Sequence, residues 1–300
     1  MFDVIVVVDW SANARPKTGR DSIWTCVLDR GDAGVVTTVT NHRTRHAARE
    51  YLGAVMHATV GRRVLVGVDF PLGYPVGTAA ALGLGDDEPW RAMWRLVASM
   101  IHDDGRNGND RFAVATGLNQ RISEGAGPFW GCPPRAASVS LSPRKAPGFP
   151  HRLRVSSLAE HRECERRLRS RGSFVFSVWQ LLGVGTVGSQ TLVGLPVVQA
   201  LADDDAVATR LVVWPFQTGF TGMPAGGVDG VVVLAEVWPG VVPLEPRHHP
   251  VRDAAQVIGL ARHLAALDHE GSLGAWFAPL LDADVAHGAR REEGWILGVV

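Results

Sequence analysis

The chain is poor in lysine: of its 30 basic residues only Lys17 and Lys145 are lysine, leaving 28 arginines. Tyrosine is equally scarce, with two residues against ten tryptophans. Charge of one sign is lacking as well, since 30 acidic residues balance the 30 basic ones. That balance excludes coating of nucleic acid or an anionic membrane through bulk charge, and it excludes a disordered polyelectrolyte. There are three cysteines, Cys26, Cys132 and Cys164, far apart and without a CxxC pair. A disulfide framework or a structural zinc site is therefore not expected, and the reducing cytosol is the expected compartment. No apolar run approaches the roughly 20 residues that a membrane helix needs, so no membrane association is expected. The start runs straight into VIVVVD without a basic leader or a small-residue cleavage site, so it does not read as a signal peptide.

What the chain does have is the composition of a soluble globular protein, 46% hydrophobic and 20% charged over 300 residues. Val4 to Val8 is an unbroken apolar run closed by Asp9, the pattern of a strand buried on both faces. Ser22–Leu28 and Val35–Thr40 read as two further strands. The turn between them is Asp29-Arg30-Gly31-Asp32, so an antiparallel meander is expected. His46–Thr59 has the apolar spacing of an amphipathic helix, and Val64–Val68 is another buried strand, ending in Asp69. Pro71 forces Phe70 into extended geometry and stops that strand.

Further along, Pro89–His102 reads as a helix, 103–154 as a long loop, and Ser156–Arg171 as a charged helix capped by Ser156 or Ser157. Phe174–Leu182 reads as a strand. Ser189–Ala202 reads as a helix interrupted by Pro196. Leu211–Phe216 and Val231–Val237 read as strands, and Pro250–Leu267 as a helix with proline near its first turn. The chain is expected to be one α/β domain spanning 1–300, with 74–230 largely an insertion.

Four features carry chemistry. The first is the acids. Asp9 and Asp69 end strands that are neighbours in β-β-β-α-β order, Glu236 lies inside GVVVLAEVW, and Asp253 opens the last long helix after His248-His249-Pro250. Buried carboxylates need a cation, a donor network or a metal. Hard oxygen ligands at adjacent strand ends suit Mg²⁺ or Mn²⁺. Taken singly, Asp253 also fits as a partner of its helix dipole and Asp69 as a cap of the turn before Pro71.

The second feature is the pair of lysines in RPKTG and SPRKAP. With Ser11 and Arg144, Lys17 and Lys145 are candidate contacts to an anionic substrate; exposed, idle lysines are the plain alternative. The third is the 135–171 segment, whose ten basic residues and three glutamates leave an excess of seven. Arg162, Arg166 and Arg169 are spaced for one helix face, a candidate phosphate or nucleic-acid contact or else a solvated surface. The fourth is GVGTVG at 183–188. A glycine-rich turn suits it better than a dinucleotide site, because no acid ends the following strand and Pro196 breaks the following helix. Gln180 and Gln190, on either side of it, are candidate substrate contacts.

Residues 4–69 resemble the opening of a ribonuclease-H-like fold, in which three antiparallel strands and a helix lead to a fourth strand parallel to the first. VDWSA (8–12) is similar to that family's first acid-bearing strand. VGVDFPLG (66–73) and AEVWPG (235–240) resemble motifs of the predicted ribonuclease-H-like nucleases, and HHPVRDAAQV (248–257) resembles the closing segment of RuvC-type resolvases. The resemblance covers the first 73 residues and about 235–267. It implies a mixed five-stranded sheet with a large insertion, Asp9, Asp69 and Asp253 as metal ligands, and Glu236 and His249 as helpers. It also implies a divalent-metal-dependent phosphodiester or phosphate hydrolase acting on nucleic acid or a small phosphorylated ligand. The 41–59 helix offers only Glu50 for the family's helix glutamate. An incomplete acid set implies instead a non-catalytic binder of a small anionic metabolite or nucleotide. A sugar-kinase-like ATPase would need two copies of the fold, and only one is legible.

Overall fold

A computed structural model describes the 300-residue chain except residues 32, 33, 86, 124, 146, 147, 184, 223 and 225–228. The expected turn at Asp32, part of the basic segment (146 and 147) and one position of GVGTVG (184) lie outside the described residues.

The apolar runs become the centre of a six-stranded mixed sheet. Its strands are β1 (Val4–Asp9), β2 (Ile23–Gly31), β3 (Gly34–His42), β4 (Val64–Val68), β7 (Leu211–Val213) and β8 (Val232–Glu236). Their order is β3-β2-β1-β4-β8-β7. The meander β1-β2-β3 is antiparallel, and β4, β8 and β7 run parallel with β1. The sheet thus holds six strands where the resemblance implied five; the sixth, the short edge strand β7, falls within Leu211–Phe216, which the sequence reads as a strand. A two-residue ribbon, β5 (His151–Arg152) with β6 (Ser157–Leu158), stands apart.

Helices cover both faces, which is why β1 and β4 are apolar on both sides. On one face Val6 and Val8 share a cluster with Leu52 and Met56 of α1 (Arg45–Ala58), Trp94 of α3 (Pro89–Met100), Leu118 of α4 (Arg111–Ile122) and Leu195 of α6 (Gly188–Ala202). On the other, Ile5 and Val7 pack with Leu168 of α5 (Glu163–Ser170) and with Val257 and Leu264 of α8 (Arg252–His269). Thr44 caps α1 by accepting the Ala47 N–H at 3.1 Å. Four shorter α-helices are α2 (Thr78–Ala81), α7 (Asp205–Ala208), α9 (Gly274–Phe277) and α10 (Ala283–Gly288), besides short 3₁₀ and π turns. Among the described residues no helix is long and apolar enough to cross a membrane.

Several expectations are corrected. The 103–154 stretch is not all loop: it contains α4, whose Val114, Ala115, Leu118 and Ile122 form a buried helical stripe. The charged helix begins at Glu163, not near Ser156. Ser157 lies in β6, and α5 starts after Arg162, whose backbone N–H and Nε both donate to Glu165, at 3.0 and 2.9 Å. Phe174–Leu182 forms no strand; it meets the Trp130 segment at an isolated bridge at Gln180 and at the edge-to-face pair of Trp179 with Phe129. Pro196 does not end its helix. It sits inside α6, where burial on nearly every side outweighs the lost hydrogen bond.

Candidate functional site

Parallel register brings the acids together. Val8 pairs with Val68 and Val68 with Glu236, so Asp9, Asp69 and Glu236 emerge at the same end of three adjacent strands. The Asp69 N–H donates to the Val8 carbonyl at 2.9 Å, fixing the two aspartates side by side. Asp9 is in phase with Ile5 and Val7, the residues that pack toward α8, and the first turn of α8 supplies Asp253.

The Asp9 and Asp69 carboxyls hydrogen-bond to each other. Burial above all, then the charges of Asp69, Asp253 and Asp21, hold Asp9 well above the usual carboxylate range. Burial thus favours the protonated form of Asp9 beside Asp69. Burial, followed by the charge of Glu236, raises Asp69 to about 7, although the bond from Asp9 pulls the other way. Asp253 is also raised, chiefly by burial, while its Oδ2 accepts the Asp21 N–H at 2.6 Å. Two carboxylates pressed together in a dry site cannot both ionise cheaply, and this arrangement shows that rule.

Glu236 has a different role. It is buried, and Arg162 grips both its oxygens, with Nη1 to Oε2 at 2.7 Å and Nη2 to Oε1 at 2.6 Å. The same guanidinium donates from Nε to Glu165 at 2.9 Å and from Nη1 to the Glu293 carbonyl at 2.9 Å. The Leu72 N–H adds a third donor to Glu236 at 3.1 Å. Arg162 is thus an internal cation and shares no basic surface with Arg166 and Arg169. Arg166 pairs with Glu163, and Arg169 donates to the Val175 carbonyl at 3.0 Å.

Two cavities meet at the aspartate pair. One, of about 310 Å³, is polar and is lined by Asp9, Asp253, Ser11, Asn13, Asp21, Arg111 and Gln190 among others. The other, of about 280 Å³, is lined by Asp69, Phe174, Phe176, Trp238, Arg252 and Gln256 among others. Gly185, within the GVGTVG turn, lines both.

Of the residues singled out from sequence, Ser11 and Gln190 reach the polar cavity. Ser11 Oγ accepts from Asn13 at 2.8 Å, and Gln190 Nε2 donates to the Trp10 carbonyl at 2.6 Å. Lys17 reaches the acids indirectly, through Asp21 at 3.2 Å. The remaining candidates do not line either cavity. His249 spends Nδ1 on the Val251 N–H at 3.0 Å and packs its ring against Trp24. Lys145 pairs with Glu160 at 2.6 Å, and Arg144 is exposed. Gln180 donates weakly to the Leu182 carbonyl at 3.4 Å. Glu50 pairs with His46 on the exposed side of α1.

Sequence reasoning missed Asp21, Arg111, Arg252 and Gln256. Arg111 is the most informative of these. It donates to Ser189 at 2.9 Å and to Asn109 at 2.7 Å, and it pairs with no carboxylate among the described residues. Burial pushes its guanidinium down to about 10. Its signal was hidden because α4 itself was read as loop. Among the described residues, no set of three or more His, Cys, Asp or Glu side chains stands ready-made to hold a metal ion. Comparison of the chain with protein-family models, with curated proteins and with solved structures finds no match in any of the three.

Proposed function

We propose that the chain is a divalent-metal-dependent phosphodiester or phosphate hydrolase of the ribonuclease-H-like class. One observation carries this reading: the strand-end Asp9, Asp253 from the first turn of α8, and a half-buried arginine without an ionic partner among the described residues lie around one cavity, with Asp69 beside Asp9. Such a cavity suits a ligand that is itself anionic but needs a cation beside it. The strand order β3-β2-β1-β4-β8, with its antiparallel-then-parallel directions, supports the class.

The donor set fits Mg²⁺ or Mn²⁺ in kind, since all its members are carboxylate oxygens. Asp9, Asp69 and Asp253 would hold the ion, whose charge would offset the burial and the crowding of carboxylates that raise all three. When bound, such an ion lowers the pKa of water and offsets charge on phosphoryl oxygens. Arg111 would then face the substrate phosphate from the far side of the cavity, with Ser11 and Gln190 orienting it. Lys17 would hold Asp21 in position. Arg162 is a positioning residue that keeps Glu236 satisfied and away from the ion.

The test is turnover of a chromogenic phosphodiester and of short oligonucleotides with Mn²⁺. Wild type should hydrolyse at least one of these, and Asp9→Asn should lose that activity while staying folded. Metal-independent turnover, or an active Asp9→Asn variant, would sink the reading. One observation favours a second reading, a non-hydrolytic binder of a small anionic metabolite or nucleotide: the two aspartates lie side by side where burial favours their protonated forms. Mn²⁺ and nucleotide binding without turnover would select it.

A further inference from the structure

The cavity on the Asp69 side has walls of another kind, with Phe174, Phe176 and Trp238 set beside the buried Arg162–Glu236 pair. We infer that it binds the base of a nucleotide whose phosphate lies at the Asp9–Asp69 pair. This rests on the reading of that pair as the phosphate-facing centre, and it names the substrate class: a free nucleotide or an unpaired terminal nucleotide, not base-paired duplex.

The walls are aromatic. Phe174 is 72% exposed, unusual for a ring that size, and stands edge-to-face with Phe176 at 5.0 Å between centroids. Trp238 follows Glu236 by two residues and faces the same cavity. Its indole is held by the chain itself: a Cβ on Gly240 would fall 2.3 Å from the ring, so only glycine lets the backbone lie flush against it. Aromatic faces that water reaches on one side and packing fixes on the other are stacking surfaces for a flat ring.

Two polar side chains enter from one turn of α8. Arg252 and Gln256 are four residues apart, line the cavity, and make no hydrogen bond to any described residue. A primary amide offers a donor and an acceptor together, the complement of a base edge. An apolar pocket with a few convergent polar groups is the usual form of a small-molecule site. At about 280 Å³ the cavity is sized for one ring system and not for a stacked run.

Placement supplies the last argument. Asp69 lines the aromatic cavity, whereas Asp9 and Asp253 line the polar one. The hydrogen-bonded aspartates are therefore the boundary between the two. A nucleotide has the same division, with a flat base at one end and a charged phosphate at the other. A base inside a duplex could not enter without leaving its stack, which costs a few kcal/mol and disfavours duplex substrates.

The test is calorimetry on wild type, Phe174→Ala and Gln256→Leu. The probes are adenosine and uridine, their 5′-monophosphates, and ribose 5-phosphate, each with and without Mn²⁺. At least one monophosphate should bind about tenfold or more tighter than ribose 5-phosphate. Its nucleoside should bind without metal. Both variants should lose most of the base preference while keeping wild-type affinity for ribose 5-phosphate. Equal binding of ribose 5-phosphate and the monophosphates would overturn the inference, as would a base preference unchanged in both variants or no binding of any nucleoside or nucleotide. The underlying reading is judged separately, by Mn²⁺ titration of wild type and Asp9→Asn without nucleotide. If Mn²⁺ fails to bind there while nucleosides bind and the variants weaken them, the metal reading fails and the base site stands.

Discussion

Arg162 holds Glu236 by both carboxylate oxygens inside the protein, and this removes from the acid set a residue that a strand-end position would assign to it. The pair is buried on both sides, with Arg162 only 1% exposed. Burial raises Glu236 despite the guanidinium, so a carboxylate left there without Arg162 would have to take a proton.

Arg162→Met should therefore cost about 3–5 kcal/mol of unfolding free energy, since it strands Glu236 and Glu165 without their cation. Arg162→Lys should recover only part of this, because an ammonium cannot serve two oxygens of Glu236 and one of Glu165 in a single plane. Urea denaturation of both variants checks the order. A lysine variant as stable as wild type would contradict the bidentate account.

The aspartate pair should make the metal-free protein pH-sensitive in an unusual direction. Asp69 is raised from the ordinary 3.8 to about 7, and Asp9 is raised as well. A group that binds its proton more tightly when folded gives stability that is full below its unfolded pKa and lost as pH rises through its folded pKa. Wild type in chelator should thus lose stability between about pH 4 and pH 7 relative to Asp9→Asn/Asp69→Asn. The double variant should be the more stable protein above pH 7, by on the order of 2–4 kcal/mol. Thermal melts of the two proteins across this range measure the gap. Added Mn²⁺ should raise the melting temperature of wild type and leave the double variant unmoved.

His42 should act in the opposite sense. It is buried against Thr25, with Nε2 at 2.9 Å from Oγ1, and burial lowers its pKa from 6.5 to about 4. Its contribution is full above the unfolded pKa and lost as pH falls from about 6.5 to about 4. An NMR titration should show its ring neutral at pH 5.5, where an ordinary histidine is mostly charged. A midpoint near 6.5 would refute this.

Much of this arrangement was legible in the sequence, for identifiable reasons. Apolar runs ending in a single acid located Asp9 and Asp69, because a strand buried on both faces leaves few other places for a charge. Asp253 was legible from its place in the first turn of a well-marked helix. Arg111 was not, because its helix mixes Gly117 and β-branched residues that suggest loop or strand, and only the buried stripe from Val114 to Ile122 stabilises it. The pairing of Arg162 with Glu236 spans 74 residues and leaves no local pattern. Arg162 looked like a surface residue because arginine usually is one and its neighbours in 160–171 are charged. Lys145 illustrates the converse: the rarity of lysine drew notice to it and its neighbour Arg144, neither of which lines the acid cavities.

Packing inside α6 reaches the aspartates through Phe70. Gly194 lies inside α6, and replacing an interior helix glycine by alanine ordinarily gains about 0.5–1 kcal/mol. Here a Cβ would come within 2.6 Å of the Phe70 ring. Phe70 is buried, follows Asp69 directly, and packs against Trp10, which follows Asp9, at 5.6 Å between ring centroids. A displaced Phe70 ring would crowd Trp10, and each ring belongs to the residue next to an aspartate. Overpacking of this kind costs about 1–3 kcal/mol, more than the helix gains. Gly194→Ala should therefore lower stability and also weaken Mn²⁺ binding, although α6 contributes no carboxylate to the cluster. Gly53→Ala on α1 is the control, since its Cβ would meet only Leu201 at an ordinary 3.9 Å. It should leave metal affinity unchanged and stability equal or higher. If the two alanines behave alike, the coupling from α6 through Phe70 to the aspartates does not exist.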